Sequence, residues 1–170
     1  MVRGYLLDTN IVVYWFDARR PQHERVVRHI QELPEATPLM ISAITLGEIE
    51  FGLQVSKVST PEQEASQDEL RIFIDTNLPM VLDITKATRI SYGALRASVF
   101  EKYAPSAKRR SGLRPEQLID PVTSRELGIQ ENDLWMAAQA LEYNLVFVTN
   151  DKMERIREVC ADLQIENWTV

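Results

Sequence analysis

The sequence predicts a three-layer α/β/α sandwich built around a mainly parallel central sheet. Three observations carry that expectation. Short apolar runs recur along the chain: Tyr5-Leu6-Leu7, Leu39-Met40-Ile41, Met80-Val81-Leu82 and Leu145-Val146-Phe147-Val148. Between them lie longer stretches with apolar residues at helical spacing, the alternation that builds βαβ units with helices on both faces of a sheet. The chain has 170 residues, 45% of them hydrophobic, which is single-domain size and long enough to bury a substantial core.

Each element has its own local reason. Tyr5-Leu6-Leu7 forms the first strand, and Asp8-Thr9-Asn10 supplies turn and N-cap chemistry for a helix through about residue 16. Pro21 suits the first turn of a second helix, which ends near Leu33 because Pro34 cannot continue it. Leu39-Met40-Ile41 is the second strand, and Ser42 stands where it can cap a helix over 44–55. Ser59-Thr60-Pro61-Glu62 opens a helix to about residue 76, and Met80-Val81-Leu82 is the third strand. The spacing of Ile90, Ala94 and Ala97 predicts a helix over 85–103. Residues 104–130 hold Pro105, Gly112, Pro115, Pro121 and Gly128 with poor periodicity, so they are expected to be irregular. A helix over 131–143 leads into the strand of Leu145 to Val148. A closing helix over about 151–163 and an edge strand over 165–168 end the chain. With no internal repeat and no low-complexity tract, a single domain over 1–170 is expected.

Composition narrows the function. A net charge of −6 argues against bulk attraction to nucleic acid, which calls for a basic surface, but leaves room for a local basic patch. The single Cys160 excludes an intrachain disulfide and a multi-cysteine zinc site, and it suits a reduced, cytoplasmic setting. Arg3 precedes an apolar stretch, as in a signal peptide. Asp8 and Asn10 break that stretch and no long uncharged run follows, so no membrane association is expected. His23 and His29 lie six positions apart on one predicted helix, a spacing that does not bring them to one face. There is no glycine-rich phosphate loop.

Four carboxylates stand in places where acids are costly. Asp8 and Asp151 follow predicted strands, and ligands of parallel α/β sheets gather beyond the carboxyl ends of strands. Helix capping is the competing explanation for both. Glu48 shares a helix face with Ile44 and Phe51, with Leu46, Ile49 and Leu53 on the other side, so its helix is expected to be largely buried. Glu50 points elsewhere and reads as a solvated charge. Gly47 and Gly52 on the same helix suggest close backbone approach. Asp133 lies in a first helical turn, where the helix dipole alone favours an acid. Its face is shared with Ala137, Ala140 and Leu141, however, whereas Glu131 would serve the dipole from a wetter position. Carboxylates gathered in one pocket repel unless a cation neutralises them, and an oxygen-only set selects Mg²⁺ or Mn²⁺. Such ions bridge phosphate oxygens and activate water, so phosphodiester hydrolysis is the natural chemistry.

Four blocks of sequence then carry a resemblance. They are Leu6-Leu7-Asp8-Thr9-Asn10, the stretch from Ile41 through Thr45-Leu46-Gly47-Glu48 to Gly52, Glu131-Asn132-Asp133-Leu134-Trp135-Met136-Ala137-Ala138, and Val146-Phe147-Val148-Thr149-Asn150-Asp151. In this order they resemble the PIN-domain ribonucleases, above all the VapC-type toxins of bacterial toxin–antitoxin pairs. The resemblance implies an endoribonuclease dependent on Mg²⁺, with Mn²⁺ able to substitute, acting on tRNA or other RNA. It implies Asp8 and Asp133 as metal ligands, Glu48 as a direct or water-mediated ligand that orients the attacking water, and Asp151 completing the acidic site. Thr149 and Asn10 would support these residues. It also implies a homodimer and a small cognate antitoxin that inserts a helix or an arginine near the site.

The segment 104–130 is longer than the usual connection in that family and reads as an insertion. It holds Lys108, Arg109, Arg110, Arg114 and Arg125, which suit an RNA-backbone contact, an altered antitoxin interface or a plain solvated loop. Trp15, Trp135 and Trp168 are expected to be packing residues more than base-stacking platforms. Two rival functions remain: a catalytically silent PIN-like module that binds RNA or antitoxin, and a structure-specific DNA nuclease. Presence of all four acids disfavours the first, and the shortness of the chain disfavours the second.

Overall fold

The computed structural model describes residues 4–56, 60–104, 112–151 and 153–170. Its strands are β1 (Tyr5–Leu7), β2 (Leu39–Ser42), β3 (Met80–Leu82), β4 (Val146–Val148) and β5 (Ile165–Glu166). They pair in the order β3-β2-β1-β4-β5, and every pairing is parallel. The helices are α1 (Thr9–Phe16), α2 (His23–Glu32), α3 (Ala43–Val55), α4 (Pro61–Asn77), α5 (Thr88–Tyr103), α6 (Glu131–Glu142) and the single turn α7 (Glu154–Arg157).

Alternation along the central strand sorts the helices into two layers. Side chains of successive strand residues point to opposite faces. Leu6 joins a core with Leu95 and Val99 of α5, Leu134 and Ala137 of α6, Phe147 of β4 and Ile156 of α7. Leu7 joins the other core, with Ile11 and Val12 of α1, Val26 of α2, Ile49 of α3 and Leu70 and Ile74 of α4. The result is the expected α/β/α sandwich. All three tryptophans serve packing: Trp15 meets Phe73 edge-on, Trp135 stacks on Tyr92, and the buried Trp168 stacks on His29. None of the described helices is long and apolar enough to cross a membrane.

Several boundaries and faces differ from expectation. α5 begins at Thr88 because Thr85 forms a turn, its hydroxyl accepting from the N–H groups of Ala87 and Thr88. Its buried face is Leu95, Val99, Phe100 and Tyr103, while Ile90 is 69% exposed. The spacing of Ile90 with two alanines located the helix but does not coincide with this face. α3 is not largely buried: only Thr45 and Ile49 are, and Phe51 is 69% exposed. Gly47 and Gly52 face open space, so no close backbone approach explains them. The expected closing helix is reduced to α7, since Met153 enters it from left-handed backbone and the chain then leaves through turns at Cys160 and Leu163. β5 stops at Glu166, and an Asx turn at Asn167 sends Trp168 inward to its stacking site.

The segment before α6 is more than a solvated loop. Lys108, Arg109 and Arg110 lie outside the described residues, but from residue 112 onward the chain is anchored. Leu118 and Ile129 are 3% exposed and belong to the α5/α6 core. Glu116 accepts from the N–H of Glu131 at 2.7 Å, a carboxylate at the positive end of α6. Arg96 of α5 binds both the Glu131 carboxylate and the carbonyl of Leu113. Arg114 and Arg125 are exposed. Because Leu118 fills this core, Leu118→Ala is expected to cost ~2–4 kcal/mol in urea unfolding. A loss within the ordinary surface range of about 0.5 kcal/mol would mean that the segment is not part of the core.

Candidate active site

The carboxyl ends of β1, β2 and β4 lie level, since Leu7 pairs with Ile41 and with Val148. The next residue in each strand's path therefore reaches the same edge. Asp8 is buried there, 4% exposed, and its N–H continues the ladder to the Val148 carbonyl at 2.9 Å. Its two carboxylate oxygens are divided. Oδ1 accepts from Thr9 N–H at 2.7 Å, capping α1, and Oδ2 accepts from the buried Thr149 hydroxyl at 2.7 Å. Capping and pocket formation are thus two uses of one side chain.

Glu48 enters from α3 and is half-buried. Oε2 accepts from the Thr9 hydroxyl, and Oε1 accepts from the Asn132 side-chain amide at 2.7 Å. Its placement follows from this tie between the first turns of α1 and α6, not from a buried helix. Asp133 sits in the first turn of α6, where Oδ2 accepts from Gln130 N–H at 3.2 Å. The buried Ala137 and Ala140 share its face. Asp151 is exposed, with its N–H donating to Thr149 Oγ1 at 3.1 Å. All four acids line one cleft of about 430 Å³, together with Thr9, Asn10 and Asn132. Asn10 turns its amide to Asn150 at 3.3 Å, and Asn150 in turn donates to Tyr14. His23 faces the Tyr14 carbonyl and His29 stacks on Trp168, both away from the cleft.

Thr9 and Asn132 went unrecognised in the sequence. Each is a first-turn polar residue beside an acid, the composition that any capped helix shows. Their shared contact with Glu48 depends on the two turns being neighbours in space.

Burial pushes the Asp133 carboxyl up to about 7, with the charges of Asp8, Asp151 and Glu48 adding to it against the Gln130 hydrogen bond. Burial likewise raises Asp8 to about 6, although the bonds from Thr149 and Thr9 favour its ionised form. Such repulsion is relieved by a cation. Among the described residues no three carboxylates close into a ready-made ion cage. An open set of oxygen donors still fits Mg²⁺ or Mn²⁺ chemistry, because Mg²⁺ is commonly held by one or two carboxylates and completes its shell with water.

The sequence profile described as PIN domain matches residues 5–161. The chain belongs to the PIN domain family. Over 164 residues it is 28% identical to Ribonuclease VapC2 of Rickettsia felis, an alignment covering 96% of this chain and 97% of that one. Among solved structures it is similar to VapBC2 from Rickettsia felis bound to a DNA fragment from its promoter, with 28% identity, a TM-score of 0.67 and coverage of 96% and 98%. VapBC-1 from nontypeable Haemophilus influenzae is similar at 26% identity and a TM-score of 0.65, covering 98% of both chains.

The raised acids fix a pH dependence for this PIN domain. Asp8 and Asp133 bind protons more tightly in the folded chain than at their ordinary value of 3.8. The unfolded chain therefore ionises first as pH rises, and stability falls. Without metal, the melting temperature is expected to decline from about pH 4 to about pH 7, and Asp133→Asn should flatten the decline. Asp17 and Glu158, held at about 2 by Arg19 and Lys102, act in the opposite sense and reach no higher than the lower end of that window. A melting temperature that climbs across it in chelator would contradict this account.

Proposed function

We propose that this chain is a divalent-metal-dependent endoribonuclease and the toxin of a toxin–antitoxin pair. The observation that carries the reading is the junction of two proton-retaining acids, the buried Asp8 and the half-buried Asp133, with a Glu48 held by Thr9 and Asn132. Relatives named as VapC ribonucleases over nearly the whole chain support the substrate class. Mg²⁺ is the expected cation, with Mn²⁺ able to substitute. When bound, it supplies charge neutralisation at the phosphate and a more acidic bound water.

The protein's own groups divide the remaining work. Asp8 and Asp133 would hold the ion, and their raised affinity for protons would set metal binding in competition with protonation. Thr149 fixes the Asp8 carboxylate through Oδ2 and leaves it no freedom to rotate away. Glu48, restrained on both oxygens, orients the attacking water and receives its proton. Asp151 completes the acidic wall from the wetter side. Lys108, Arg109 and Arg110, with the exposed Arg114, would neutralise RNA phosphates. A homodimer, a small antitoxin partner and a cytoplasmic location complete the proposal, with the whole chain acting as one domain and structured RNA such as tRNA as substrate.

Asp8→Asn and Asp133→Asn should each lower RNA cleavage in Mg²⁺ by roughly 10²-fold or more, the scale set by loss of a transition-state contact. The metal-free melting temperature of Asp133→Asn should not fall, since the substitution removes a repelled charge. Cleavage at the wild-type rate by purified Asp8→Asn protein would refute the mechanism. Millimolar Mg²⁺ or Mn²⁺ should also raise the wild-type melting temperature, by about 2.7 kcal/mol of stability at a hundredfold excess over Kd. Indifference of the melting curve to both ions would remove the metal site.

A further inference from the structure

The acid cleft does not end at Asp133. Gln130, Asp133 and Asp151 also border a second cavity of about 340 Å³, so the two spaces share a wall. The second cavity is enclosed by the stretch entering α6, with Leu127 and Ile129, and by the chain entering α7, with Met153 and Ile156. Both stretches bend through left-handed backbone, at Gly128 with φ 70° and at Met153 with φ 43°. Met153 holds a conformation that residues with a Cβ rarely adopt, and such outliers gather at functional sites.

The lining is apolar within and acidic at its exposed edge. Ile129 and Ile156 are buried, whereas Asp151 and Glu154 are exposed. Among the described residues, the carboxylates of Asp151 and Glu154 accept no hydrogen bond. Arg155 is the cation of the described lining, yet its charge is already engaged by Asp120 and Glu158, with Tyr103 beneath the guanidinium. A phosphate would be repelled by this wall. A cationic side chain would set its charge against the two buried isoleucines. A flat, neutral ring with donors on its edge meets both demands: apolar faces against isoleucine, leucine and methionine, and N–H groups toward the carboxylates.

We propose that this cavity takes a nucleobase flanking the cleaved phosphate and selects bases that carry an exocyclic amine. The proposal rests on the ribonuclease reading given above. Adenine, cytosine and guanine donate from that amine, whereas uracil has a carbonyl oxygen in its place, and its one edge donor, N3–H, is flanked by two carbonyl oxygens that the carboxylates repel. One hydrogen bond to a charged acceptor separates the two cases by about tenfold.

Random-sequence RNA cleaved by the wild-type protein, with sequencing of the new ends, should show depletion of uracil at one position beside the cut by about tenfold. Glu154→Gln and Met153→Gly should each erase most of that bias, and melting curves will show that both variants fold. Binding is read separately with cleavage-deficient Asp8→Asn protein in Mg²⁺, comparing oligocytidylate with oligouridylate, which are similar in ring size and differ at the amine. Tighter binding of oligocytidylate that is lost in the Glu154→Gln background supports the cavity. Equal affinity for the two oligomers, or a cleavage bias that survives both substitutions, overturns it while the nuclease stands. Variants that keep the RNA bias but lose capture of a basic peptide would assign the cavity to a protein partner and also overturn it. Absence of any RNA cleavage would strike the nuclease reading, and the cytidylate–uridylate comparison would still judge the cavity.

Discussion

The parallel ladder between β1 and β4 governs everything at the carboxyl edge of this sheet. It joins segments separated by most of the chain and continues one residue past the strand, through the Asp8 N–H and the Val148 carbonyl. That extra bond carries Asp8 out of the core while keeping its backbone fixed. Thr149, the next residue on the neighbouring strand, then lies in reach of the carboxylate, and its hydroxyl also receives the Asp151 N–H. A buried acid is tolerated here because two donors meet it. It remains reluctant to ionise because burial outweighs them.

Around that fixed point, polar contacts align the first turns of helices that belong to different layers. Thr9 of α1 and Asn132 of α6 grip the two oxygens of Glu48, which comes from α3. α6 is positioned from outside as well. The chain from 112 to 130 presses Leu118 and Ile129 into its core and places Glu116 on its N-terminal N–H. Arg96, reaching from α5 to Glu131 and to the Leu113 carbonyl, holds the two together, and the Tyr92–Trp135 stack keeps α5 and α6 in contact at the same level. Asp133 therefore owes its position to residues on both sides of the sheet.

Much of this was legible in the sequence. Apolar runs located the strands, and Ser42, Thr60 and Asp8 marked their helix starts, each observed as an N-cap. The acids at strand ends and first turns could be singled out because their neighbours Glu50 and Glu131 had easier explanations. Glu50 is indeed exposed and paired with Arg71, while Glu131 is more tightly held than its place in the sequence suggested. What escaped was whatever depends on distant neighbours. The buried side of α5 is set by what α6 and the 112–130 segment offer it, and alanine spacing carries little information about that. The shortness of α7 follows from left-handed Met153 at its start and the turns at Cys160 and Leu163 after it, which no propensity foretells. Asn132 looked like a helix-start residue because it is one, and its bond to Glu48 spans a gap in sequence of 84 positions.

The strands contribute two to four residues each, so the sheet has little length over which an error in pairing can be diluted. A slip of β1 by one residue would exchange Leu6 and Leu7 between the two cores. The same slip would carry Asp8 away from Thr149 and from the cleft. Correct folding and assembly of the acidic centre are therefore a single event. In a cell, a misregistered copy of this chain would be chemically inert, and the destructive chemistry proposed for it would arise only in molecules that had passed their own structural proofreading.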